Sequence, residues 1–250
     1  MFASADSYDR FMGRYSVPLA GQFADFAGIA PGKRILDVGC GPGALTGELV
    51  KRVGAFSVFA VDPSQEFVDA ARQRHPRVHV EVASAERLPV NDRSFDAVLA
   101  QLVVHFMEDP VRGLREMGRA TRAKGVVAAC VWDHAGDQGP LAVFWQAVRS
   151  IDSRADDESD LPGTRKGHLA ELFEQAGFTG IEDGALTVSV WHPNFDDWWT
   201  PFTLGVGPAG THVAGLDPER RDELEARCRR LLPQAPFTIS ATAWAASARA

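Results

Sequence analysis

Ile35-Leu36-Asp37-Val38-Gly39-Cys40-Gly41-Pro42-Gly43-Ala44-Leu45-Thr46 is the stretch on which the reading of the fold turns. An apolar run from Lys33 to Val38 meets a cluster of glycines. It then passes straight into residues of helical spacing, with Leu45, Leu49 and Val53 on one face. This pattern predicts a buried strand, a tight turn and a helix over 44–53. Glycine in such a turn permits positive φ and lets a ligand lie against bare backbone. Nineteen residues past Gly43, at the end of the next apolar run (Phe56 to Val61), stands Asp62. A carboxylate at the tip of a second strand is placed to accept from both ribose hydroxyls of an adenosine.

The same alternation extends outward. Upstream, Ser16 to Ile29 reads as a helix with Ser16 as N-cap, Pro18 in the tolerant first turn and Leu19, Phe23 and Phe26 at helical spacing. Downstream come a helix over 65–74, a strand over 78–82 and a strand over 95–102. A helix follows that is capped by Asp109, has Pro110 at its first position, and carries Arg119 and Arg122 in its last turn. Lys124 to Trp132 is a fifth strand. Strand and helix thus alternate from 33 to 132, the signature of a parallel sheet covered on both faces.

Beyond Trp132 the rhythm changes. Leu141 to Ile151 reads as a short aromatic helix, and Asp152, Asp156, Asp157, Glu158 and Asp160 read as a solvated acidic loop. A helix over 167–176 and a strand over 181–191 follow. Residues 192–216 are rich in glycine, proline and aromatics, Asp217-Pro218-Glu219 opens another helix, and 237–244 is a last strand.

Composition narrows the function. The 250 residues are 45% hydrophobic and 24% charged, enough for one core that buries roughly 70% of the unfolded chain's surface. A net charge of −7 argues against a sequence-independent grip on nucleic acid, which needs a basic face. Cys40, Cys130 and Cys228 match no zinc spacing and leave no paired framework, so reduced thiols, a cytoplasmic setting and no metal are expected. The apolar runs fall short of the ~20 residues a membrane span needs, so no membrane partner is expected.

Asp37 separates two readings of the glycine turn. A carboxylate just ahead of the glycines can hold a cationic amine and disfavours a pyrophosphate, which counts against a nicotinamide dinucleotide. Asp37 to Thr46, Val61-Asp62-Pro63-Ser64, Ala83-Ser84-Ala85-Glu86-Arg87-Leu88-Pro89 and Ser94-Phe95-Asp96-Ala97-Val98 resemble the successive motifs of class I S-adenosylmethionine-dependent methyltransferases. The branch is that of small-molecule enzymes related to the ubiquinone/menaquinone biosynthesis methyltransferases. Tyr8-Asp9-Arg10-Phe11-Met12-Gly13-Arg14-Tyr15-Ser16 is similar to their lead-in.

The resemblance implies an α/β Rossmann-like, doubly wound seven-stranded sheet in the order 3-2-1-4-5-7-6, with one antiparallel strand and lid insertions. It implies a single domain over 1–250, with an N-terminal lid in 1–32, a cofactor-binding half in 33–132, and acceptor-side insertions in 133–166 and 192–232. It implies S-adenosyl-L-methionine as cofactor, with Gly39 and Gly41 against its methionine part, Asp37 near its ammonium, Asp62 on the ribose, and Pro63 and Phe67 bordering adenine. Gln101 and Leu102 would border the methyl-donor end, while Arg14 and Tyr15 would clamp the methionine carboxylate. Ser84 stands where relatives carry an acid for the adenine amino group, which leaves that contact to Glu86 or to the Ser84 hydroxyl, while the Ala85 backbone amide would meet the ring.

Methyl transfer needs its partners in line, and a base only where the acceptor must lose a proton. His105, after strand four, and His134, after strand five, are the candidates for that base. Trp191, Phe195, Trp198, Trp199 and Phe202 are dense for one short stretch, and Trp198, Trp199 and Phe202 are expected to lie over a small apolar or aromatic acceptor. The expected activity is in-line displacement onto such a molecule by a monomer or homodimer. The alternatives are a non-catalytic module that only binds the cofactor and a nicotinamide-dependent oxidoreductase.

Overall fold

The computed structural model describes residues 5–250; the first four positions of the expected N-terminal lid lie outside the described residues. In chain order the first elements are α1 (Ala5–Tyr8), a π-helical turn (Asp9–Gly13), α2 (Arg14–Phe26), β1 (Ile35–Val38), α3 (Ala44–Val53) and β2 (Val58–Asp62). Next come α4 (Gln65–Arg74), β3 (His79–Val82), β4 (Phe95–Gln101), α5 (Pro110–Ala120) and β5 (Thr121–Trp132). The last part holds α6 (Ala142–Ile151), α7 (His168–Ala176), β6 (Glu182–His192), α8 (Phe195–Trp199), α9 (Gly207–Gly215), α10 (Pro218–Leu231) and β7 (Phe237–Arg249).

The strands form one seven-stranded sheet in the order β3-β2-β1-β4-β5-β7-β6. The pairs from β3 to β5 are parallel, and β7 is antiparallel to both its neighbours. Every residue of β1 is buried, as a strand covered on both faces requires. Alternate side chains of β1 feed different cores. Ile35 packs with Leu19, Phe23 and Leu49 under α2 and α3, while Leu36 and Val38 pack with Leu114, Met117 and Phe173 under α5 and α7. By the same alternation Asp37 lies on the α3 side, where Thr46 meets it. A third cluster, built from Phe11, Phe144, Trp145, Trp198, Phe202 and Leu224 among others, joins the N-terminal segment to α6, α8 and α10.

Several local readings hold and several change. Asp109 and Asp217 accept from the backbone N–H of Arg112 and Arg220 at 2.9 and 2.8 Å, so α5 and α10 begin where their caps predict. The first helix, by contrast, begins well before Ser16, whose hydroxyl turns back to the Gly13 carbonyl at 3.5 Å, and Pro18 lies inside α2. Phe56 is exposed in a short turn before β2 rather than buried in it. Arg122 belongs to β5 and pairs with Asp96.

The turn after β1 is held tightly. The N–H groups of Gly39 and Cys40 both donate to the Val61 carbonyl, at 2.8 and 2.9 Å. Gly39 has φ +70°, and a Cβ on it would lie 2.4 Å from Val103 Cγ2; Gly41 has φ +53° with no neighbour within 4 Å of the equivalent point. Gly39→Ala therefore combines left-handed strain with a clash and should cost about 3 kcal/mol in urea unfolding. Gly41→Ala, with strain alone, should cost about 1 kcal/mol.

Candidate active site

The carboxyl ends of β1, β2 and β4 surround an open cleft of about 690 Å³. Asp37, Gly39, Gly41, Asp62, Pro63, Phe67, Gln101 and Leu102 all line it. Asp62 is 6% exposed. Its Oδ2 accepts from Gly41 N–H at 2.8 Å and its Oδ1 from Ser64 N–H at 2.9 Å. Burial pushes its carboxyl up, and the two backbone donors oppose that shift. A carboxylate can accept about four hydrogen bonds, so Asp62 retains capacity on the cleft side.

Asp37 is fully enclosed. Its Oδ2 accepts from Thr46 Oγ1 at 2.6 Å, while Oδ1 is buried without a hydrogen-bond partner among the described residues. Desolvation raises its pKa to about 7, against the Thr46 hydrogen bond. Gln101 repeats the theme. Its Nε2 donates to the Ser16 carbonyl at 3.0 Å, an atom that can only accept, which leaves the buried Oε1 without a partner among the described residues. Two acceptors without a protein partner in one cleft are costly unless donors arrive from water or a ligand. A primary ammonium, with three N–H donors and a positive charge, supplies what both lack, so the residues present fit an amino-acid-bearing nucleoside.

A second cavity of about 440 Å³ adjoins the first, and the two share Tyr8, Leu102 and Phe106. Leu102 stands at the junction with φ +62°, a left-handed conformation rare for a branched side chain. The structure brings His105 and His134 together in this second cavity, with ring centroids 6.1 Å apart. Burial drives His105 well below the usual histidine range, and nearby His134 adds to the shift; burial likewise lowers His134 to about 4. Both rings are therefore neutral at physiological pH. Asp133 shapes the loop that carries His134, its Oδ1 accepting from Gly136 N–H at 2.8 Å.

Other expected site residues lie elsewhere. Arg14 pairs with Asp197 at 2.8 Å, and the Tyr15 hydroxyl meets His192 Nε2 at 3.2 Å. Together they line a separate small cavity and tie α2 to β6 and α8 instead of lining the glycine cleft. Ser84 is exposed, and Ala85 packs in the core beneath α5. Glu86 accepts from the N–H groups of Glu108 and Asp109 at 3.0 and 3.5 Å. None of these three lines the cleft. Trp198, Trp199 and Phe202 are buried in the third cluster, with Phe202 stacked on Phe144 at 4.6 Å, and none lines the His105–His134 cavity. They back its wall through Phe11, which packs edge-on to Phe202 at 5.0 Å. Trp191 is exposed.

Two contributors escape a sequence reading. Tyr8 faces both cavities and sits edge-on to Phe67 at 5.5 Å; burial, with Asp62 and Asp9 nearby, pushes its hydroxyl up. Glu158, inside the acidic run read as a solvated loop, is 4% exposed and lines the second cavity. Its Oε2 accepts from Trp145 Nε1–H at 3.0 Å, and desolvation raises its pKa to about 7. The placement of Tyr8 in the lead-in motif was a signal for the first. Only burial distinguishes Glu158 from its acidic neighbours.

Residues 36–129 match the family described as a methyltransferase domain. An uncharacterized methyltransferase of Mycobacterium tuberculosis is 38% identical over 133 residues, covering 53% of this chain and 51% of that protein. A demethylmenaquinone methyltransferase of a Mycobacterium species is 42% identical over 104 residues, covering 41% of this chain and 43% of its own length. The chain spans about half the length of the curated relatives it matches. Among solved structures, the YcgJ protein of Bacillus subtilis superposes with a TM-score of 0.60 at 19% identity, over 93% of this chain and 97% of that one. Residues 36–129 are thus similar to a methyltransferase domain, and the sheet order together with this superposition shows a Rossmann-like fold shared with that solved structure.

The Glu158 environment has a consequence for stability. Its folded pKa of about 7 lies above the ordinary 4.5. Below pH 4.5 the carboxyl is protonated in both folded and unfolded states. As pH rises from 4.5 through 7 the unfolded chain releases this proton more readily, and folded stability is lost. Glu158→Gln should match the wild type in denaturant titrations at pH 4.5 and exceed it by about 3 kcal/mol at pH 8.

Proposed function

We propose that this protein transfers a methyl group from S-adenosylmethionine to a small, largely apolar acceptor. The buried Oδ1 of Asp37, unpaired among the described residues in the glycine cleft that Gln101 also lines, carries the reading. When bound, the cofactor supplies an electrophilic methyl group on a sulfonium.

The protein's part is binding, orientation and exclusion of water. Asp37 and Gln101 take the ammonium donors, and Asp62 takes the ribose hydroxyls with its spare lone pairs. Gly39 and Gly41 leave the turn bare for close approach, while Pro63 and Phe67 border the adenine. The resemblance to the family supports these roles, and so does the position of all seven residues at the carboxyl edge of the sheet, where open α/β sheets bind ligands. The acceptor occupies the adjoining cavity, whose walls include Phe11, Phe106 and Trp132. His105 and His134 face it as uncharged hydrogen-bonding groups. Holding two partners on either side of Leu102 serves the in-line geometry from which most of the rate enhancement can come. Residues 5–32 cover both cavities, 33–132 hold the cofactor, and the later insertions shape the acceptor side.

Calorimetry tests the assignment. Asp37→Asn should weaken S-adenosylmethionine about tenfold and leave adenosine unaffected, whereas Asp62→Ala should weaken both by at least that factor. Undiminished binding in Asp62→Ala, or tighter binding of a nicotinamide dinucleotide than of S-adenosylmethionine, would overturn it.

A further inference from the structure

Among the described residues Glu158 is the one carboxyl group lining the second cavity, and no cationic side chain among them lines it. The other described residues of the walls are apolar or aromatic, apart from His105 and His134, with no lysine or arginine among them. Trp145 fixes Oε2 through its indole N–H, and Oε1 accepts from no described residue. Asp157, the preceding residue, is different: Arg149 holds it at 2.5 Å. A buried carboxyl that lines a cavity, with one oxygen anchored and the other without a partner among the described residues, has capacity for a donor from whatever fills the cavity.

We propose that Glu158 reads the acceptor, and that the acceptor is a neutral molecule presenting a hydroxyl on an aromatic or apolar body. Its O–H donates to Glu158 Oε1. When the hydroxyl ionises, its O–H bond breaks, the electron pair stays on the acceptor oxygen, and the proton moves to Oε1. The carboxylate becomes a neutral acid, so the buried site gains no net charge. An ammonium-bearing acceptor is disfavoured, because the same apolar walls hold both neighbouring imidazoles uncharged. Those imidazoles, pushed down by burial, retain a proton poorly, whereas Glu158 retains one well. The inference rests on the methyltransferase reading for the identity of the cavity as the acceptor side.

Binding of simple probes to the full chain, saturated with S-adenosylhomocysteine, provides the test. p-Cresol should bind the wild type about tenfold tighter than toluene, and tighter than benzylamine. Between pH 6 and 8 that preference should grow, because an ionised carboxylate is the stronger acceptor. Over this range His105 and His134 stay neutral, Tyr8 stays protonated, and Asp157 is held ionised with Arg149. Glu158→Leu should abolish the preference; Glu158→Gln should keep part of it with no dependence on pH. The proposal is overturned by equal affinity for p-cresol and toluene, by no p-cresol binding, or by a preference that survives in Glu158→Leu. A Glu158-dependent preference for benzylamine overturns it too. If the leucine variant does not fold, the flat pH profile of Glu158→Gln decides. S-adenosylmethionine affinity, measured on the same wild-type sample, separates the two levels. Intact cofactor binding with failed probe discrimination removes only the role of Glu158, and absent cofactor binding removes the methyltransferase reading.

Discussion

The Asp62 carboxylate is the fastening on which the site depends. One oxygen holds the Gly41 N–H of the turn after β1, and the other holds Ser64 N–H at the start of α4. Two neighbouring strands thereby end at a common fixed point. The Val61 carbonyl, one residue earlier, accepts from both Gly39 and Cys40 and closes the turn from the other side. With the turn pinned, α3 starts at a set angle, and Thr46 arrives at Asp37. The same carboxylate that shapes the cleft also lines it, so a change at this residue alters the architecture and the cleft wall together.

The sheet half and the later half of the chain are stabilised by different means. From β1 to β5 the side chains alternate between two cores, each closed by helices. The aromatics after His192 make a core of their own with α6 and the N-terminal segment. Arg229 lies over the Phe195 ring at 3.8 Å, and Arg14 joins Asp197 and through it His192, which itself meets Tyr15. The second cavity lies where this third core meets the sheet, between Trp132 at the end of β5 and Val206 before α9.

The sheet half was largely legible because its determinants are local. Glycine turns, Asp-Pro caps and continuous apolar runs act within a few residues, and α3, α4 and α5 follow them. The sheet order came from resemblance. The N-terminal helix was misread because a serine before a proline looks like a cap; the chain winds through a π turn instead and carries Ser16 into the helix interior. Arg14 and Tyr15 found partners 177 or more residues away in Asp197 and His192, contacts that no local pattern announces. The tryptophans of α8 have the composition of a ligand cover and also of a small core, and only their burial among Phe144 and Phe202 separates the two. Glu158 is the sharpest case: five acids in a short run look alike until Trp145 and the cavity single one out.

Tyr8 forms part of the wall of both cavities, and the segment that bears it is clasped by Asp9 to Arg74 and by Arg14 to Asp197. One strip of chain therefore borders two chambers. Its packing is a shared quantity: a change of side chain at Tyr8 alters the wall of both chambers at once.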